Sequence, residues 1–137
     1  MGARHVEDLV AYQWAHDLKL EVYRLFDESA TAAGDLRYRD QLFAAASGVE
    51  SNIAEGFARL RPREFAQFLR YALASLSETK TRLVDGVDRR HFTRADIGQA
   101  LSFGVRCTDA TRALHASQVR FIEGNPRGAT GRRRPRL

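Results

Sequence analysis

Apolar side chains recur at three- and four-residue intervals through four stretches of this chain. In the first, roughly Asp8 to Ala30, they are Ala11, Trp14, Leu18, Val22, Leu25 and Phe26. That spacing follows the 3.6-residue turn and predicts an amphipathic helix, with Ser29 to Gly34 as its fraying end. Asp35 then reads as an N-cap, because its carboxylate can accept a free amide proton of the next first turn. The second stretch, Leu36 to about Leu60, sets Leu42, Ala46, Val49, Ile53, Gly56 and Leu60 at alternating four- and three-residue steps. This is a heptad seam of the kind that packs against neighbouring helices.

Pro62 suits the first position of a third helix, where a missing N–H costs nothing. The third helix repeats the seam with Phe65, Leu69, Ala72, Leu76, Thr79 and Leu83 and ends near Gly86. A short polar turn, Asp88 to Phe92, leads to Thr93, a second N-cap candidate. The fourth stretch, Arg94 to about Glu123, is less sharply striped: Ile97, Leu101, Gly104, Cys107, Thr111, Leu114, Gln118 and Phe121 drift around the helix. No stretch alternates as a β-strand does. Four helices with short connections predict an all-α fold, an antiparallel up-down-up-down four-helix bundle. Phe43, Leu73 and Phe103 fall off the seams, and as a group they favour a self-association surface over scattered surface residues.

Composition narrows the class. At 137 residues the chain is one domain's length and needs no disulfide or metal staple. Its lone cysteine, Cys107, excludes a disulfide framework and fits a reducing, cytoplasmic setting. With 44% apolar residues and no long apolar run, no membrane span is expected. The opening residues MGARHVEDLV lack the apolar core of a secretory signal.

The net charge of +5 is unevenly placed. Arg127, Arg132, Arg133, Arg134 and Arg136 lie after Gly124 and face no acid; without them, 17 basic residues balance 17 acidic ones. The chain therefore divides into a neutral bundle, residues 1–124, and an Arg-rich tail, residues 125–137, whose composition reads as disordered. The up-down topology brings the Arg59-Leu60-Arg61-Pro62-Arg63 corner to the same end as both termini. Arg4, Arg59, Arg61, Arg63, Arg120 and the five tail arginines gather there, offset in part by Glu7, Asp8, Glu64 and Glu123. A cationic rim of this kind suits the phosphate backbone of RNA or DNA; a solvated, solubilising tail is the alternative.

Signals for catalysis are lacking. His5, His16, His91 and His115 have no metal-ligand spacing, no Gly-rich phosphate loop is present, and Cys107 on a helix interior reads as packing. The expectation is a non-enzymatic chain without metal or cofactor.

Gln41 to Glu78 carries a recognisable pattern. It contains Asn52-Ile53-Ala54-Glu55-Gly56, then Glu64-Phe65 with Phe68-Leu69, then Ala74-Ser75-Leu76-Ser77-Glu78. These strings resemble the four-helix-bundle family of 23S ribosomal RNA intervening-sequence proteins, in which Asn-Ile-Ala-Glu-Gly is the most diagnostic element. The third string departs slightly from the family's Gly-Ser-x-x-Glu. Leu9, Trp14, Ala15 and Tyr23 match the family's first helix, so the resemblance covers about residues 5–122.

The resemblance implies a homopentameric ring. The chain is also similar, more distantly, to the accessory protein of diversity-generating retroelements, a pentamer that binds nucleic acid and a reverse transcriptase. A role in docking a partner enzyme is therefore the alternative to nucleic-acid binding. Where the family commonly carries two consecutive arginines, this chain has Phe43 and Ala44. Within the motif, Asn52, Glu55 and Glu78 read either as a polar site or as a buried network setting register, with Gly56 as a structural position. Arg59 is placed to pair with Glu55, and Arg82 with Glu78, each at i,i+4.

Overall fold

The computed structural model describes residues 2–126, and every one of its regular elements is helical. A 3-10 turn, Val6–Asp8, precedes α1 (Val10–Glu28), α2 (Ala30–Gly34), α3 (Leu36–Ala58), α4 (Pro62–Asp88) and α5 (Gly98–Gly124). The tail arginines Arg127, Arg132, Arg133, Arg134 and Arg136 lie outside the described residues. Asp35 caps α3 as expected, accepting from the Tyr38 amide at 3.4 Å. Pro62 stands at the first position of α4.

The four long helices close a ring of neighbours: α1 lies between α3 and α5, and α4 packs on the far side of both. Pairings along each interface run in opposite senses. Gly48 faces Ser75 and Gly56 faces Phe68, so α3 and α4 are antiparallel. Tyr12 meets Glu50 while Phe26 meets Tyr38, so α1 and α3 are antiparallel too. The heptad seams fill the centre. Leu42, Val49 and Ile53 of α3 and Leu69, Ala72 and Leu83 of α4 are buried against Leu18 and Val22 of α1. In α5 the seam buries Cys107, Thr111 and Gln118 and leaves Phe121 exposed, which is the physical form of its weaker stripe.

Two boundaries differ from the sequence expectation. Ser29–Gly34 is not a frayed end: Ser29 caps the separate helix α2, accepting from the Ala32 amide at 3.3 Å. The fourth long helix begins at Gly98 rather than Arg94. Thr93 and Asp96 do exchange side-chain to backbone bonds, at 3.1 and 2.8 Å, but they close a turn instead of starting the helix. That turn lets Phe92 and Ile97 both point inward, 5% and 1% exposed, so the helix axis is set only after Ile97.

Phe92 belongs to an aromatic plug at this end. Phe26 contacts Tyr38, Phe43 and Phe92 with ring centroids 4.9 to 5.9 Å apart, a favourable range for edge-to-face packing. Gly86 makes the plug fit, since a Cβ there would lie 2.3 Å from the Tyr38 hydroxyl and 2.6 Å from the Phe92 ring. Of the residues off the seams, Phe43 packs within this plug and Phe103 tilts over Trp14 at 5.7 Å. Leu73 instead lines an open groove between α4 and α5.

Candidate nucleic-acid interface

The α3–α4 corner is shaped by three consecutive backbone states. Leu60 adopts φ 60°, the left-handed conformation that ends a helix. Arg61 is extended (φ −119°, ψ 123°) because a residue preceding proline is pushed out of the helical region. Pro62 then starts α4 with its ring buried. The result is a tight reversal that holds Arg59, Arg61 and Arg63 at one end, all three exposed.

Their electrostatics differ. Arg59 reaches Glu55 at 2.8 Å and lies over the Phe68 ring at 5.3 Å. Arg61 stands 3.8 Å from Glu64. Arg63, and Arg70 two turns further along α4, have no carboxylate partner among the described residues; Arg70 donates to Gln67 at 2.9 Å. Arg120 is exposed near the end of α5, also without an ion pair among the described residues. Because α4 and α5 run antiparallel, it lies towards the same end of the bundle.

Gly56 explains itself geometrically. A Cβ there would sit 2.6 Å from Phe68 Cβ and 3.0 Å from the Phe65 ring, so only glycine lets α3 and α4 approach this closely. The other motif residues do not converge. Asn52 donates to the Gly48 carbonyl of its own helix at 2.7 Å. Glu55 turns to Arg59, and Glu78 to Arg82 at 3.8 Å, with both carboxylates about half exposed. The two ion pairs match the spacing argument, but no hydrogen bond or ion pair links Asn52, Glu55 and Glu78 among the described residues.

Two polar clusters were not legible in the sequence. Glu50, 14% exposed, accepts from Tyr12 at 2.9 Å and pairs with Lys19 at 2.8 Å, with His16 at 3.3 Å. Burial pushes the Glu50 carboxyl up, but the bonds from Lys19 and Tyr12 outweigh it and leave the group below its ordinary value. Tyr12 is shifted up in turn, chiefly by the bond it gives Glu50. The second cluster joins His91, Asp35, Arg89 and Thr31 at the aromatic end. Both join residues remote in sequence, which spacing rules within one helix do not see. Cys107 is buried against the Ala11 carbonyl, and desolvation pushes its thiol up to about 11, as suits a packing residue.

Among the described residues, no helix is long and apolar enough to cross a membrane. Residues 7–108 match the family described as 23S rRNA-intervening sequence protein. The matched span includes the corner and the whole Gln41 to Glu78 pattern, and stops short of Arg120 and the tail. No curated protein matches the chain.

Proposed function

Because the chain belongs to the 23S rRNA-intervening sequence protein family, we propose that it is a non-enzymatic, oligomeric nucleic-acid-binding protein. It grips the phosphate backbone of RNA or DNA through the arginine corner and the tail. The observation that carries this reading is the corner itself: the reversal at Leu60 and Pro62 sets Arg59, Arg61 and Arg63 out into solvent at one end. Arg63 and Arg70 have no carboxylate partner among the described residues, so an incoming anion displaces no ion pair there. The tail adds five arginines after Gly124.

Recognition of this kind is by charge and shape, since backbone contacts position a nucleic acid without reading its sequence. Five tail contacts give a slope of roughly −3.5 to −4.5 in log affinity against log salt. Deleting residues 125–137 flattens that slope; unchanged affinity and slope in the truncated chain would remove the tail from the mechanism. In a homopentamer the rims and tails act together on one long polyanion, which multiplies their effect. Light scattering coupled to size-exclusion chromatography tests the assembly, and a monomer at micromolar concentration contradicts it.

A second reading, a scaffold that docks a partner enzyme such as a reverse transcriptase, is favoured by the groove between α4 and α5. It has a volume of about 510 Å³ and is lined by Leu73, Leu76, Leu101 and Val105, with Val105 61% exposed. Failure to bind nucleic acid at low salt, together with a defined co-purifying protein, selects this reading.

A further inference from the structure

Arg63, Gln67, Arg70 and Tyr71 stand at i, i+4, i+7 and i+8 on α4 and are all exposed. The spacing places them on one face, over roughly 12 Å of helix. Tyr71 is 46% exposed, and its hydroxyl is bonded to the Gln67 amide, which also accepts from Arg70. The ring is thus held at its polar tip while much of its surface meets water. Phe68 packs edge-on against Tyr71, with centroids 5.6 Å apart and planes at 85°, and the Arg59 guanidinium covers Phe68. One surface therefore carries an exposed aromatic ring packed against Phe68, with Arg70 beside it and Arg63 about two turns towards the start of α4, neither arginine having a carboxylate partner among the described residues.

A bare phosphate grip needs no such ring. An exposed tyrosine on a soluble helix, set among cations, matches the two requirements of single-strand binding: a planar surface on which a base stacks, and charges that follow the backbone. A duplex keeps its bases stacked inside and offers that ring nothing. Resting on the nucleic-acid reading above, we propose that this face of α4 is a stacking site for single-stranded nucleic acid. An unpaired base lies on Tyr71, and Arg70 and then Arg63 hold phosphates of the strand as it runs towards the start of α4.

The proposal is tested with the full-length chain and fluorescein-labelled rU12, dU12 and a 12-base-pair RNA duplex, titrated at several salt concentrations. The expected result is tighter binding of the single strands than of the duplex. Tyr71→Leu weakens single-strand binding roughly 5- to 100-fold, with the salt slope and the duplex affinity unchanged. Tyr71→Trp retains single-strand binding. Arg63→Gln combined with Arg70→Gln reduces the single-strand slope by about 1.4. Unchanged melting temperatures establish that each variant is folded, as expected for exposed positions. Comparing rU12 with dU12, which differ only in the 2′-hydroxyl, assigns the site to one sugar. If Tyr71→Leu binds the single strands as the parent does, the stacking site is overturned. In that case weakened binding by the tail deletion leaves the phosphate-grip reading standing. If the intact chain binds none of the three probes at low salt, both fall.

Discussion

The imidazole Nε2 of His91 lies 2.9 Å from the Asp35 carboxylate, joining the residue that starts α3 to one that follows α4. The same carboxylate oxygen receives Arg89 at 3.2 Å, and the other ring nitrogen of His91 meets the Thr31 hydroxyl of α2 at 3.2 Å. Ser29 completes the closure by donating to the His91 carbonyl at 2.8 Å. Asp35 and His91 together thus fasten α2, the start of α3 and the segment after α4 beside the aromatic plug.

Asp35→Asn isolates the charge in this arrangement, because asparagine caps a helix about as well as aspartate. The bond from His91 is the main cause of the lowered Asp35 pKa, with the Tyr38 amide and Arg89 adding to it against the opposing effect of burial. A carboxyl lowered in the folded state stabilises it above the ordinary carboxylate range, and that contribution disappears as pH falls through the lowered value. The expected outcome is a variant that melts below the parent at pH 7 and converges with it at strongly acidic pH. Equal melting temperatures at neutral pH would show that the clasp carries no stability.

Glu50→Gln tests the other buried network. It leaves Lys19, 20% exposed, without its carboxylate, and hydrogen bonds to charged groups are worth about 1.5–3 kcal/mol. Chemical denaturation at pH 7 should show a loss of about 1–2 kcal/mol. The loss should shrink as pH drops and Glu50 of the parent takes up a proton, the same sign as for Asp35.

Glycine positions give opposite predictions on three helices. Gly56→Ala and Gly86→Ala force a Cβ into Phe68 and into the Tyr38 hydroxyl and Phe92 ring, respectively. Each should cost about 1–3 kcal/mol through overpacking, despite alanine's better helix propensity. Gly104 of α5 meets nothing within 4 Å, so Gly104→Ala should gain about 0.5–1 kcal/mol. Denaturant midpoints for the three variants check the contrast.

Arg90 holds φ 63° just after α4. His91 donates back to the Gly86 carbonyl at 2.9 Å and Arg90 to Val87 at 2.9 Å, the paired bonds of a helix-ending motif that favours glycine at this position. Arg90→Gly should raise stability by about 0.5–1 kcal/mol by relieving the left-handed cost of a side chain. A lowered melting temperature would mean that the Arg90 side chain contributes more than its backbone strain costs.

The helical seams, the cap at Asp35 and the start at Pro62 were legible from local spacing, because each depends on residues within a turn or two of one another. The ion pairs Arg59–Glu55 and Arg82–Glu78 were legible for the same reason. The role of Gly56 was visible only as a motif letter; the reason for it is the Phe68 side chain on the next helix. Phe92, set in a polar stretch, carried a faint signal as a lone aromatic, yet its burial follows from where α4 ends and α5 turns back. Likewise Asn52, Glu55 and Glu78 read as a polar site or a buried network, whereas each side chain found its partner on its own helix.

The sequence by itself thus determined the four long helices, their order and the arginine-rich end, since periodicity, caps and charge are properties of neighbouring residues. Only the tertiary structure decided which polar groups meet, through the Glu50 and Asp35 clusters. It also decided which aromatics are spent on the core and which, like Tyr71, remain on the surface. Those outcomes depend on contacts between residues dozens of positions apart, and such contacts are set by how the helices pack rather than by any local pattern.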